Sequence, residues 1–447
     1  MKIEGNLVDL HLREIYPVEL SIHEGRISEI RRVERSFPNF ILPGFIDSHV
    51  HIESSMVTPG AFASVAVTHG TIGTVSDPHE IANILGIEGV EFMIKDGKSV
   101  PFYFWFGAPS CVPATSFETA GAVIGAEEID RLLRREEIKY LSEMMNFPGV
   151  IYDDKNVRNK LSSAIKNGKP VDGHAPGLTG DSLIKYVEAG ITTDHECSTI
   201  EEALEKINLG MKVLIREGSA ARNLEALKEL ISLKPEMVML CSDDIHPEML
   251  LKRHINKIAA GLIREKYNIF DVLRACSVNP VLHYGLEAGL LRSGDYADFI
   301  IVSDLNEMDI DETWIRGEKL YCGGKVNFRY DGGIPVNRFN CSRIGAKSLN
   351  VETKGSHYNI IEAYDGELLT GSISMEAGNS QFIASDLTAD ILKIVVKDRY
   401  SDNPPAVGFI KGFGLRQGAF ASSVAHDSHN IICVGVDDND IAECINK

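Results

Sequence analysis

The sequence predicts an α/β protein. A (β/α)8 TIM barrel is expected over 41–290, with a small β-sandwich domain built from both of its flanks, 1–40 and 291–340, and a further C-terminal α+β domain over 345–447. Three observations carry this reading. Strand-like apolar runs alternate with helix-like stretches through the middle of the chain. Polar, chemistry-bearing residues stand just after those runs. Both flanks read as short alternating strands.

In the N-terminal flank, Val18-Glu-Leu-Ser-Ile22 and Arg26-Ile-Ser-Glu-Ile30 alternate around His23-Glu-Gly25, a hairpin signal. In the second flank, Gly294-Asp-Tyr-Ala-Asp-Phe-Ile-Ile-Val302 and Glu312-Thr-Trp-Ile-Arg-Gly-Glu-Lys-Leu-Tyr-Cys322 have the same character. Neither flank can form a core alone, so the two are expected to pair. Between them, strand-like runs fall near 40–47, 71–75, 102–106, 140–143, 170–173, 191–194, 212–216 and 237–241. Helix-like text such as Ile129-Asp-Arg-Leu-Leu-Arg-Arg-Glu-Glu-Ile138 separates them. Eight such alternations are the mark of the barrel, whose active site lies at the C-terminal ends of its strands.

Composition bounds the function. The 447 residues suffice for two or three domains, and a net charge of −19 argues against a nucleic-acid groove or an anionic membrane surface. No apolar run reaches membrane-spanning length. The eight cysteines form no Cys-x-x-Cys pair, and reduced thiols in a cytoplasm are expected.

Residues able to do chemistry gather at the strand ends. Strand one ends in His49 and His51, which project the same way because alternate residues of a strand share a face. Strand two leads into Asp77-Pro-His-Glu80, and strand four ends at Glu143. Strands five and six give Asp172-Gly-His174 and Thr193-Asp-His-Glu196. Strands seven and eight give Arg216-Glu-Gly218 and Cys241-Ser-Asp-Asp244. Barrel geometry puts His49, His51, Glu143, His174, His195 and Asp243 on one rim. Oxygen and imidazole donors without thiolate suit manganese, iron or zinc better than copper.

The motifs Pro43-Gly-Phe-Ile-Asp-Ser-His-Val-His-Ile-Glu-Ser-Ser-Met56, Asp77-Pro-His-Glu80, Ser142-Glu-Met-Met145, Ile215-Arg-Glu-Gly-Ser-Ala-Ala-Arg-Asn223 and His426-Asp-Ser-His-Asn430 resemble the adenine deaminase family of the amidohydrolase superfamily. The resemblance runs over essentially the whole chain. It implies hydrolytic deamination of adenine to hypoxanthine and ammonia by a metal-activated hydroxide. It implies a binuclear centre of manganese or iron, with zinc also admissible. In that centre His49 and His51 hold one metal, His174 and His195 the second, Glu143 bridges them and Asp243 completes the first. Asp243 would also be the general base and then acid. Glu217 is a candidate to protonate the purine N1, or else it pairs with Arg216 or Arg222. Asp244 is a candidate to orient substrate or a ligand histidine. His79, Glu80 and Arg216 are candidates to bind substrate, although His79 and Glu80 read equally well as a helix start. His426 and His429 read either as a loop at the barrel mouth or, slightly preferred, as an internal turn. His69 and His283 are expected to be structural.

The expected partner is a small molecule, adenine, with no nucleic acid and no membrane, and the protein is expected to be a homodimer. Family members run on well past the His426-Asp-Ser-His-Asn430 motif, so the C-terminal domain is expected to be shortened. The competing readings are cyclic amide hydrolysis of the dihydroorotase or hydantoinase kind, and a truncated relative without activity. Glu143, where those hydrolases often carry a modified lysine, favours the deaminase.

Overall fold

The computed structural model describes residues 1–115, 117–366 and 369–447, which fall into two compact units. The first comprises 1–79, 87–111 and 124–335, and the second 80–86, 112–123 and 336–447.

In the first unit, eight parallel barrel strands succeed one another in chain order: Phe45–His51, Thr71–Ser76, Tyr103–Ala108, Ile138–Met144, Val171–Gly173, Thr193–Asp194, Lys212–Arg216 and Val238–Cys241. The first five share one ladder and the last three another. A bond from Thr192 N to Val171 O at 2.9 Å joins the fifth strand to the sixth. The ring closes through a two-residue strand, Asp243–Asp244, which pairs with Val50 and His51 of strand one. This register sets Asp243 beside the His-x-His pair.

The predicted run 40–47 divides in two. Phe40–Pro43 joins the sheet formed by the flanks, and Phe45–His51 begins the barrel. The flanking sheet is one ladder of eight strands, in which Phe40–Pro43 bonds to Lys2–Asp9 on one side and Phe299–Val302 on the other. It curls on itself. A Cβ on Gly25, in the turn between the strands Glu14–His23 and Arg26–Arg32, would lie 2.7 Å from the Arg316 carbonyl near the opposite end. The curl encloses Leu7, Val18, Leu20, Ile27, Phe299 and Trp314.

The second unit holds a six-stranded mixed sheet in the order Gly371–Glu376, His357–Glu362, Ala406–Lys411, Ile391–Lys397, Ile431–Gly435, Ala419–Ser422. Helix Asp438–Asn446, capped by Asp437, buries Ile441 and Ala442 with Val395 and Cys433. Within this unit His426 Nδ1 and His429 Nε2 each stand 3.2 Å from an oxygen of Glu80, and Asn430 donates to Thr119 O at 2.8 Å. His429 Nδ1 also accepts from Ala425 N at 3.1 Å, as an internal turn requires. Among the described residues no helix is long and apolar enough to cross a membrane.

His69 is buried and donates from Nε2 to Leu250 O at 2.8 Å. Burial, then the nearby His254, lowers its pKa to about 4. Above pH 6.5 the ring is neutral in both folded and unfolded chains. Below it the unfolded chain takes up a proton that the folded one refuses, so stability falls as the pH drops towards 4. His69→Gln keeps a donor for Leu250 and does not titrate. Between pH 7 and 5 the wild type should lose ~2 kcal/mol more than this variant in urea unfolding. Equal losses would rule out His69 as a source of acid sensitivity.

Candidate active site

The six expected ligand residues come together. His51 donates from Nδ1 to the Asp77 carbonyl at 3.1 Å, so in the neutral ring Nε2 is the nitrogen that carries the lone pair. That Nε2 faces Glu143 Oε1 at 3.2 Å and Asp243 Oδ1 at 3.3 Å. His49 Nε2 faces the same Asp243 oxygen at 3.4 Å. The other Glu143 oxygen, Oε2, lies 2.7 Å from His174 Nδ1 and 3.2 Å from His195 Nε2. The His49 and His195 rings stack with centroids 4.3 Å apart.

The backbone beneath these groups is held firmly. Buried Asp47 accepts from Ser242 N at 3.0 Å and from the Ser242 hydroxyl, and meets His254 Nε2 at 2.8 Å. Strand one is thereby pinned to strand eight next to Asp243. Tyr186 donates to Met144 O at 2.8 Å and accepts from His174 N at 3.1 Å, joining the ends of strands four and five. Asp243 itself has φ +57, a left-handed conformation that Asp tolerates better than most residues. Gly218 is forced by close approach: a Cβ there would lie 2.0 Å from Ser242 O and 2.3 Å from Asp244 O.

Electrostatics match a cation site. Burial alone would raise the Glu143 carboxyl, but His174, then His195 and His51, hold it well below the usual range. Asp243 is likewise held low, against burial, by His49 and His51. Burial and the neighbouring His195 lower the pKa of His49. Neither nitrogen of that fully buried ring has a hydrogen-bond partner. Such an orphan is costly unless a further group takes its lone pair. The donor set therefore fits divalent metal ions. At the rim three groups of donor atoms lie close enough to share a single ion each: His51, Asp77, His79 and Glu143; His49, His195 and Asp243; and Glu143, His174 and His195.

Other expectations fare differently. His79 does begin a helix, His79–Leu85, yet its ring is also inside the cluster, with Nδ1 3.2 Å from Glu143 Oε1 and 3.1 Å from Asp77 Oδ2. Glu80 is in the first turn of that helix, its carboxylate against His426 and His429. Arg216, expected to bind substrate, stands at the end of strand seven beside Asp243. Its buried guanidinium is taken up by both oxygens of Glu196, by Asp243 Oδ2 at 2.9 Å and by Ala221 O. Glu217 is in an ion pair, 3.3 Å from Arg253 and 3.7 Å from Arg222, the first partner unforeseen. Asp244 accepts from Ser54 Oγ at 2.5 Å.

Sequence reasoning misses Glu196. Its Oε1 lies 3.4 Å from His195 Nε2 and 3.6 Å from His174 Nδ1. The only sequence signal is its place directly after His195. Asp77 reads in sequence as a helix start. Its Oδ1 also accepts from Ser142 Oγ at 2.7 Å, beside Glu143.

Comparison with known proteins agrees with this geometry. Residues 40–320 match the amidohydrolase family, and 367–447 match the adenine deaminase C-terminal domain. A protein of Salinibacter ruber named adenine deaminase is 49% identical over 99% of this chain and 82% of its own length. The chain belongs to the adenine deaminase family of amidohydrolases. Another member, from a Sulfurovum species, is 50% identical over 100% of this chain and 82% of its own length. Among solved structures, a beta-aspartyl dipeptidase of Fervidobacterium islandicum superposes with a TM-score of 0.55 at 14% identity, covering 73% of this chain and 98% of that one. At that identity the likeness speaks for the fold that the family shares.

Proposed function

We propose that this chain hydrolyses adenine to hypoxanthine and ammonia in adenine catabolism or purine salvage. The observation that carries the reading is agreement at about half of all positions, over nearly the whole chain, with proteins named adenine deaminase. The donor set supports it. His49, His51 and Asp243 would hold one metal, His174 and His195 a second, and Glu143 both, with manganese our choice over iron and zinc. Bound there, the pair supplies Lewis acidity and water that is acidic near neutral pH.

The chain's own groups do the rest. Asp243 takes the proton of the attacking water and passes it to the departing amine, as general base and then acid. Arg216 holds the other Asp243 oxygen, so the carboxylate keeps one orientation through both transfers. Asp244, fixed by Ser54, accepts a hydrogen bond from the substrate. Glu217, 3.3 Å from Arg253 and 3.7 Å from Arg222, stays our candidate to protonate the purine N1. The proposal extends to a homodimer in the cytoplasm.

The test is a substrate panel on manganese-loaded protein: adenine, guanine, cytosine and dihydroorotate side by side, with ammonia release and ring opening both followed. Adenine should give stoichiometric hypoxanthine, metal analysis should find about two ions per chain, and chelation should abolish turnover. Protein that ignores adenine but opens dihydroorotate would move the reading to cyclic amide hydrolysis.

A further inference from the structure

A second cluster of buried charge lies behind the rim. Lys206, on helix Ile200–Asn208, is fully buried, as is Asp194, and Glu202 is nearly so. An ammonium has three N–H donors. All three are used: to Asp194 Oδ2 at 2.9 Å, to Glu202 Oε1 at 2.8 Å and to Ala175 O at 2.8 Å. Asp194, Cys197 and Glu202 would otherwise be close enough to share a cation, and the Lys206 ammonium bonds to both of the carboxylates.

Each carboxylate also accepts from backbone, besides the Cys197 thiol on Asp194 Oδ2 at 3.2 Å and the Ser198 hydroxyl on Glu202 Oε2 at 3.5 Å. Asp194 Oδ1 accepts from Ala175 N at 2.8 Å, and Oδ2 from Glu196 N at 3.1 Å. Glu202 Oε1 accepts from Gly177 N at 2.9 Å, and Oε2 from Ser198 N at 3.1 Å. The bonded backbone groups belong to two loops only, 175–177 after strand five and 196–198 after strand six. His174 and His195 stand at the roots of these loops.

We infer that Lys206, with Asp194 and Glu202, is a positioning device that locks the His174 and His195 loops together as one half of the metal site. The inference rests on the ligand assignment proposed above. A buried ammonium costs a great deal to desolvate unless every donor is met. Its survival here is explained by what it holds: two loops with no mutual strand ladder at that point, whose imidazoles must meet one ion. Groups that orient metal ligands in this way typically contribute ~10- to 100-fold in metal affinity.

The experiment is manganese titration of the full-length protein against a chelating indicator, with turnover followed in parallel. Lys206→Met should bind one ion as the wild type does and the second ~10- to 100-fold more weakly. Its turnover should recover as manganese is raised, which a simple loss of folding would not allow. Should Lys206→Met fail to fold, Glu202→Gln, which keeps the side-chain shape and loses the charge, should show the same selective weakening. Wild-type affinity for both ions, or equal weakening of both with no recovery, would overturn the inference. His174→Ala is the control. If it keeps two tight ions, the ligand assignment itself fails, whatever Lys206→Met does.

Discussion

Asp243→Asn is expected to lower the turnover of adenine at least ~100-fold and to weaken metal binding as well. The second effect comes from Arg216. Oδ1 of Asp243 faces His49 and His51, while Oδ2 accepts from Arg216 Nη1 at 2.9 Å. An amide offers one acceptor and one donor group in place of two acceptors. The buried Arg216 N–H must keep an acceptor, since leaving it unmet costs about 1–3 kcal/mol. The amide oxygen therefore turns to Arg216, and its NH2 group points at the two imidazole nitrogens where an ion belongs. The backbone is not the cause of any loss, because Asn tolerates the left-handed φ of +57 as well as Asp does. Steady-state kinetics and metal analysis on the same sample would check this. Two ions retained with turnover lost would assign Asp243 as base and reject the amide flip. Near wild-type turnover would sink its role altogether.

The rim was legible because it depends on local rules. Alternation puts His49 and His51 on one face, and strand-end position alone delivers Glu143, His174 and His195. The change of sheet at Gly44 was not legible, since Phe40 to Ile46 is an unbroken apolar run apart from Pro43 and Gly44, and periodicity does not say which sheet a strand joins. Nor was the grouping of 80–86 and 112–123 with the C-terminal unit, which depends on contacts far apart in sequence. Lys206 shows the same limit. In Ile200-Glu-Glu-Ala-Leu-Glu-Lys-Ile-Asn208 a lysine among glutamates reads as a solvated helix face. Only the fold reveals that its helix turns this residue inward. The partners of Arg216 were not legible either. An arginine at a strand end suggests substrate, and its ion pairs with Glu196 and Asp243 on the neighbouring strand ends follow only from the fold.

Glu143→Gln should cost more metal than any other single change of comparable size. Its two oxygens serve four imidazoles from four different strand ends: His51 and His79 at Oε1, and His174 and His195 at Oε2. The backbone will not move to compensate. The Glu143 carbonyl accepts from Ser110 Oγ at 2.5 Å, Ser142 Oγ donates to Asp77 and to Ala108 O, and Met144 O accepts from Tyr186. A glutamine held in that place must present its NH2 group to one pair of imidazoles or the other. Whichever pair receives it loses a negative oxygen and gains a competing donor, so one ion is lost outright and the other is held by a neutral ligand in place of a charged one. Metal content should fall from about two ions to one or fewer, and turnover by more than the ~10- to 100-fold that outer groups contribute. Metal-free wild type and variant should give the same far-UV circular dichroism, because the bonds that fix the end of strand four run through Ser110, Ser142 and Tyr186 and not through the Glu143 carboxylate. A variant that keeps two ions and deaminates adenine at the wild-type rate would remove Glu143 from the centre of the site.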